Sequence, residues 1–225
     1  MAKEDRASAC LLVWTDIPAE DEHEFNEWYS REHLRSRVIG APGFGAGRRL
    51  VAESGGPKYV AYYEAADSTA FTSAPYLELV ARPDPLSKRF IPRFRNVIRL
   101  VGRTLGGSGG DFCGSVGVLA FDVRAAKDRA RQWLARELPG ELTKLPGILR
   151  ARTFETDREV LGASVRVHTR PDDRAPDFAV LVEGTLPEQV DAARTRILTD
   201  AAVAGRGGEA IAYARTRLMM EVRPT

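Results

Sequence analysis

A chain of 225 residues can bury roughly 70% of the surface it exposes when unfolded, so it needs no disulfide or metal staple. Its 33 basic and 31 acidic side chains leave a formal net charge of +2, which argues against a dedicated nucleic-acid binder. The composition, 44% hydrophobic and 28% charged, is that of a water-soluble globular protein, and no apolar run approaches the roughly 20 residues of a membrane span.

The first strand is predicted over residues 8–16. Leu11 and Val13 fall on one face and Cys10, Leu12, Trp14 and Asp16 on the other. After Pro18, the acids Glu20, Asp21, Glu22 and Glu24 suit the positive end of a helix. Helical spacing then puts Phe25, Trp28, Tyr29, Glu32 and Ser36 on one side, with His33 at its border. Leu34 and Val38 fall off that side, so the helix is expected to end or bend near His33. Pro42-Gly43 opens a second strand at about 44–53, and a turn at Glu53–Pro57 leads to a third, 58–65, carrying Tyr59, Tyr62 and Tyr63. Asp67 or Ser68 can cap a short helix that Pro75 interrupts, and a loop with Pro83, Pro85 and Pro92 precedes a fourth strand at 95–105. The order β-α-β-β-α-β is that of a ferredoxin-like unit.

Gly106-Gly-Ser-Gly-Gly110 has the most flexible composition in the chain. It is read as a linker, 106–111, between a unit at 1–105 and a second at 112–225. The second half repeats the plan: a strand at 115–123, a helix at 125–138 with Trp133, a strand opened by Leu145-Pro-Gly-Ile148, a strand at 178–183, a helix to about 203, and a last strand at about 210–222. Thr185 and Glu188 form an expected capping box, with Pro187 at the helix start. Trp28-Tyr-Ser-Arg-Glu32-His33 aligns with Trp133-Leu-Ala-Arg-Glu137-Leu138, and Phe44–Arg49 with Ile148-Leu-Arg-Ala-Arg152. This is an internal duplication of about 105 residues per copy, too long for a solenoid period. The second copy lacks the histidine and the tyrosine. It also inserts 157–176, with an expected extra strand near Leu161–Val167 and an acidic loop at Pro171-Asp-Asp173.

Of the basic residues only Lys3, Lys58, Lys88, Lys127 and Lys144 are lysines, a bias that reflects a GC-rich genome rather than anion recognition, except for arginines placed in a site. Cys10 and Cys113 precede or begin strand-like runs and read as small core residues. The N-terminal Met-Ala-Lys-Glu-Asp-Arg lacks the apolar core of a signal peptide, so a cytoplasmic location is expected. His23 sits among acids and His168 lies in the insertion beside Arg166 and Arg170. Three scattered histidines form no recognisable zinc site, and the glycine run lacks the Lys-Ser/Thr of a phosphate-binding loop.

Trp28-Tyr29-x-x-Glu32-His33, Pro42-Gly43-Phe44, Arg48-Arg49 and the strand with Tyr59 and Tyr62 resemble the EthD-like branch of the dimeric α+β barrel superfamily. The resemblance covers about residues 9–103 and is weaker beyond. It implies an α+β fold in which two tandem ferredoxin-like units close one barrel as a fused pseudo-dimer, a pair that can still associate into a homodimer. The superfamily holds cofactor-free cyclases, isomerases and monooxygenases as well as haem enzymes, so fold does not decide the reaction.

In catalytic members, ligands lie between a sheet face and its helices. Here that cleft is expected to be lined by Trp14, Trp28, Tyr29, Phe44 and Tyr62, which suits a planar organic molecule. His33 is the candidate general acid/base. Asp16 is its candidate partner across the cleft, or else a turn residue. Tyr29 can hydrogen-bond an oxyanion or simply pack. Arg49 can hold a carboxylate or phenolate, or form a surface ion pair. Glu32 is counted with the substrate-binding set but is not taken to orient His33, since sequence neighbours on a helix point about 100° apart. These residues suggest a cofactor-independent lyase, isomerase or cyclase acting on an aromatic or polyketide-like small molecule. The alternatives are a haem protein with His33 as axial ligand and a non-catalytic binding protein.

Overall fold

The computed structural model describes residues 8–110, 112–164 and 172–224. Its strands are β1 (Ala9–Asp16), β2 (Phe44–Gly55), β3 (Tyr59–Ala65) and β4 (Arg95–Gly109) in the first half. The second half supplies β5 (Ser115–Val123), β6 (Ile148–Thr156), β7 (Phe178–Gly184) and β8 (Gly208–Val222). All pair antiparallel in a closed barrel, in the order β1-β3-β2-β8-β5-β7-β6-β4. Within each half the strands lie fourth-first-third-second, the order of a split βαβ sheet. The halves are sewn together where β2 pairs with β8 and β4 with β6, so no strand edge is left open.

Alternation along the strands sends side chains to two destinations. Cys10, Leu12, Trp14, Val60, Tyr62 and Leu100 point into the barrel. Leu11, Tyr59, Ala61, Tyr63 and Val101 point outward and are covered by helices. In the first half the cover is α1 (Glu22–Trp28), a π-helical turn (Tyr29–His33), α2 (Leu34–Gly40), α3 (Ala74–Ala81) and α4 (Pro85–Phe90). In the second it is α5 (Lys127–Gln132), another π turn (Trp133–Glu137), α6 (Leu138–Thr143), α7 (Arg158–Ser164), α8 (Pro187–Arg196) and α9 (Asp200–Ala204). There are thus three cores: one inside the barrel and one under each set of helices. Cys10 and Cys113 are free thiols, both buried.

One end of the barrel interior holds a buried ionic cluster. Arg48 bridges Glu64 (3.1 Å) and Glu221 (2.5 Å), and Arg150 bridges Glu64 and Glu183 (3.3 Å). Burial pushes Glu183 up to about 7. Glu64 is buried too, but the Arg150 and Arg48 guanidiniums outweigh that burial and hold it down at about 2.

Several expectations need correction. The run Gly106–Gly109 is no linker: it is the end of β4, paired with Thr153, Arg152, Ala151 and Arg150 of β6. Its glycines are there for close approach. A Cβ on Gly106 would stand 2.6 Å from the Leu134 carbonyl oxygen, and Gly109, at φ +78°, would press one to 1.8 Å from that of Leu149. Pro75 does not interrupt a helix but helps start one, in the first turn of α3 behind the Ser73 cap. Part of the expected strand at Leu161–Val167 is helix, α7, and residues 165–167 lie outside the described residues. The capping partner in the Thr185 turn is Gln189, not Glu188: its Oε1 accepts from the Leu186 N–H (3.0 Å) and the Thr185 hydroxyl (2.7 Å). The helix expected to reach 203 is broken into α8 and α9.

Candidate functional site

The helix that carries His33 does not stop there. The Leu34 N–H donates to the carbonyl of Tyr29, five residues back, so one extra residue is accommodated at Tyr29–His33. That residue turns everything after it. His33, Leu34, Arg37 and Val38 all face the sheet and are buried, while Glu32 is exposed. A regular 3.6-residue helix would have put Glu32 and Ser36 on the sheet side instead.

Arg49 of β2 braces this turn from below. Its Nη1 donates to the Ser30 hydroxyl (2.9 Å) and the Asn26 carbonyl (3.3 Å), and its Nη2 to Asn26 Oδ1 (2.8 Å). Its guanidinium lies over the Tyr29 ring at 4.5 Å.

Between the turn and the outer face of β1, β3 and β4 the packing is incomplete. A cleft remains, with about 90 Å³ free to a solvent molecule, or about 820 Å³ when all unfilled volume out to its mouth is counted. His33, Tyr29, Arg37, Tyr63, Tyr76 and Arg99 are its polar walls, with Leu11, Val13, Phe94 and Val97 among the apolar ones. The second half contributes as well: Ser164 at the end of α7 and Asp173 line the same space. Arg174 fastens this segment to β4, its N–H donating to the Val97 carbonyl and its carbonyl accepting from the Arg99 N–H (2.9 and 2.8 Å).

The His33 ring packs against Trp28 and Tyr29, with centroids 4.5 and 4.7 Å away. Burial pushes its pKa well below 6.5, and the charges of Arg37, Arg49 and Arg99 push the same way, so the imidazole is neutral at pH 7. Ser87 on α4 gives its hydroxyl proton to Asp84 Oδ2 at 2.5 Å, and its oxygen lies 3.5 Å from His33 Nδ1. That arrangement favours the tautomer with the proton on Nδ1 and a lone pair on Nε2. Tyr29 and Tyr63, whose hydroxyls are 3.4 Å apart, are both pushed up by burial and stay protonated donors.

No family model matches this sequence, and no curated protein matches it. Solved structures do. An anthrone oxidase-like protein superposes with a TM-score of 0.64 at 11% identity, covering 99% of this chain and 95% of that one. A candidate monooxygenase from Fusobacterium nucleatum subsp. nucleatum gives 0.58 at 11% identity, over 96% and 95% of the two chains. Another from Lactobacillus acidophilus gives 0.53 at 9% identity, over 96% of each. The fold is that of monooxygenase-like α+β barrel proteins. At these identities the likeness speaks for the fold alone.

The structure brings His33 and Tyr29 together on the cleft wall and leaves the other expected residues elsewhere. Asp16 sits at the far end of β1, where its carboxylate accepts from the Lys58 N–H (2.7 Å) and Asn96 Nδ2 (2.8 Å), so it shapes a turn and does not reach His33. Trp14 and Tyr62 point into the barrel; Trp14 Nε1 donates to the Pro57 carbonyl and the Tyr62 hydroxyl to Glu64. The pairing of these two on one face was legible, but it is the inner face, and the cleft lies on the other. Trp28 stands behind His33 against Phe25 and Phe90, and Phe44 packs on Tyr63, Phe71 and Tyr76. Glu32 is on the surface, and Arg49 is neither a surface ion pair nor a cleft residue. His168 lies outside the described residues. Sequence reading missed Tyr63, Tyr76, Arg37 and Arg99. The first was within reach, because the strand that carries Tyr62 inward must turn Tyr63 outward.

The haem alternative can be tested on the same geometry. The His33 ring is wedged between Trp28 and Tyr29, with centroids 4.5 and 4.7 Å away, so as arranged it is not presented as an axial ligand to a macrocycle.

Proposed function

We propose that this chain is an enzyme that moves a proton on a planar aromatic or polyketide-like small molecule, with His33 as general acid/base. One observation carries the reading: a neutral imidazole, backed by Ser87 and Asp84, forms part of the wall of a narrow cleft beside two protonated phenols. His33 Nε2 would accept a proton from an acidic C–H or O–H of the substrate. The electron pair stays on the substrate, spread onto a ring oxygen, and Tyr29 and Tyr63 are the donors placed to meet it. Return of the proton at another atom gives isomerisation or ring closure, and loss of a leaving group gives a lyase. The anthrone oxidase-like neighbour suggests a substrate type in which a ring CH₂ is made acidic by flanking aromatic rings.

The two halves are further read as tandem ferredoxin-like units of EthD-like origin, a fused pseudo-dimer that kept one site per chain. Both carry a π turn at the matching place, and both open their second strand after a Pro-Gly turn. On this reading the protein works in the cytoplasm on a small molecule, with neither nucleic acid nor membrane as partner. Among the described residues no helix is long and apolar enough to cross a membrane.

The test does not require the physiological substrate. Solvent exchange of the acidic CH₂ protons of anthrone and 2-tetralone in D₂O, followed by NMR, reads proton removal directly. The wild-type chain is expected to speed the exchange and His33→Gln to lose about a hundredfold of that acceleration while keeping its fold. Exchange no faster than in buffer, or unaffected by His33→Gln, removes the enzyme reading and leaves a binding protein.

A further inference from the structure

His33 lines the cleft, while its Nδ1 meets α4, 3.5 Å from the Ser87 hydroxyl oxygen. Ser87 is fully buried, and Asp84, which accepts its hydroxyl proton at 2.5 Å, is exposed. Neither of the two lines the cleft. Imidazole, hydroxyl and carboxylate thus form one chain that begins at a buried ring and ends in solvent outside the cleft. The first link is long, but catalytic hydrogen bonds are often long before a substrate is bound and tighten afterwards. Partial burial opposes the Asp84 charge, yet the hydroxyl and N–H of Ser87 outweigh it and hold the carboxyl below its ordinary range, so it is ionised at pH 7.

Helix capping does not account for this chain of groups. Asp84 caps α4 through Oδ1, which accepts from the Ser87 N–H at 2.8 Å. Thr199 caps α9, the last helix of the second half, in the same way: its hydroxyl oxygen accepts from the Ala202 N–H at 3.0 Å. Ala202, three residues past its cap as Ser87 is past Asp84, has no hydroxyl. A cap needs one oxygen and one N–H, and both helices have them. The second carboxylate oxygen and the serine hydroxyl are additional, and they reach the His33 ring.

We propose that Ser87 and Asp84 are a proton path between His33 Nδ1 and solvent. Its use in catalysis rests on the reading of His33 as the base; the path itself does not. When Nε2 takes a proton from the substrate, the ring becomes an imidazolium, which burial and the charges of Arg37, Arg49 and Arg99 disfavour. A substrate filling the cleft keeps water from Nε2. The Nδ1–H bond then breaks and its proton forms a new O–H bond on Ser87, whose own proton passes to Asp84 Oδ2. The electron pair left on Nδ1 makes the ring neutral again, with the substrate's proton kept on Nε2. Asp84, now a carboxylic acid, gives its proton to water. The same steps in reverse reload Nδ1 when Nε2 returns its proton to the substrate. Ser87 and Asp84 touch no substrate and act only through His33.

The experiment is NMR of the intact chain with isotope-labelled histidine, reading the rate at which the His33 Nδ1 proton exchanges with water; His33→Gln assigns the signal. Asp84→Asn keeps the cap, since Asn caps a helix as well as Asp, but it cannot take up a proton. It is expected to slow the exchange by about tenfold or more, as is Ser87→Ala. Ser87→Thr, which keeps a hydroxyl, should stay within about threefold of the wild type. A proton that exchanges too fast to be seen in the wild type and becomes visible in Asp84→Asn counts as the same slowing. A neutral ring protonated on Nε2 instead of Nδ1, exchange untouched by Asp84→Asn, or no Nδ1 signal in either protein would overturn the path. The anthrone assay tests its catalytic use: Asp84→Asn should lose about fivefold or more of the wild-type acceleration. Acceleration lost in His33→Gln but intact in Asp84→Asn overturns that use and keeps the base. No acceleration by the wild type, with the slowing seen by NMR, removes the base and keeps the path. If Ser87→Ala does not fold, Asp84→Asn, at a solvent-facing position, decides alone.

Discussion

The two helix–sheet layers of this barrel are built on the same plan and filled in opposite ways. Each has a helix with a π turn lying on the outer face of its sheet. In the second half the gap is solid with Leu134, Leu138, Leu142, Trp133, Val180 and Val182, all buried. In the first half Tyr29, His33 and Arg37 stand where those three leucines would, and a cleft remains. A cleft lies where one face of one helix carries Tyr29, His33 and Arg37, and a filled core where the matching face carries leucines.

That comparison is broken most forcefully by truncation. Leu138→Ala removes a fully buried side chain from a close-packed layer, with an expected cost of about 2–5 kcal/mol. His33→Ala, at the matching position, only enlarges a space that already exists and removes a buried polar ring. It should cost less than about 1.5 kcal/mol. Urea denaturation of the two variants checks the pair; equal losses would mean that the first-half layer is as tightly packed as the second.

The seam between the halves gives the next largest effect. Gly106→Ala places a methyl 2.6 Å from the Leu134 carbonyl oxygen and 2.8 Å from that of Ala135. Backbone on both sides leaves little room to yield, and a loss of about 1–3 kcal/mol is expected in the same assay. A true flexible linker would tolerate the change without measurable loss.

How the sequence misled here is instructive. Five small residues in a row look like a hinge because composition reports conformational freedom. It does not report a neighbouring helix pressing its carbonyls against a strand. Glu32 was misplaced for a related reason: the change of phase at Leu34 and Val38 marks an irregularity near His33, but a 3.6-residue period does not say that it is a π turn that puts His33 and not Glu32 against the sheet. The order of the strands and the Pro-Gly turns were legible, because periodicity and chain-breaking residues act locally. His33 and Tyr29 were legible for the same reason. Arg37 and Arg99 were not, since which side chains line a cleft is set by how helix and sheet pack and not by the sequence near them.

Acid sharpens the difference between the halves. His33 has a folded-state pKa well below the unfolded value of 6.5, so between those two values the unfolded chain binds the extra proton. Stability should be insensitive to this group above the unfolded value and fall as pH drops through and below it, until the folded-state ring itself takes a proton. The slope from one group is at most about 1.4 kcal/mol per pH unit. His33→Leu, which copies the second half, should flatten that part of the profile, measured as the change in denaturation midpoint from pH 7 to pH 5. An unchanged slope would show that the ring is solvated and that the cleft is more open than drawn.

The smallest effect concerns how each half pins its π turn. A π turn frees backbone carbonyls that must find other donors. In the second half the Thr153 hydroxyl donates to the Leu134 carbonyl at 2.8 Å, deep in the protein. In the first half the alignment of Phe44 with Ile148 puts Arg49 at the Thr153 position, and it serves the same helix through Asn26 and Ser30. Thr153→Val keeps the shape and removes the donor, leaving a buried carbonyl short of one bond, for an expected loss of about 1 kcal/mol. Because Thr153 bonds Leu134 and Gly106 and does not line the cleft, proton exchange and anthrone-type binding there should not change. If they do, the two turns are coupled across the β4–β6 seam, and the cleft is positioned by the second turn as well as by its own arginine.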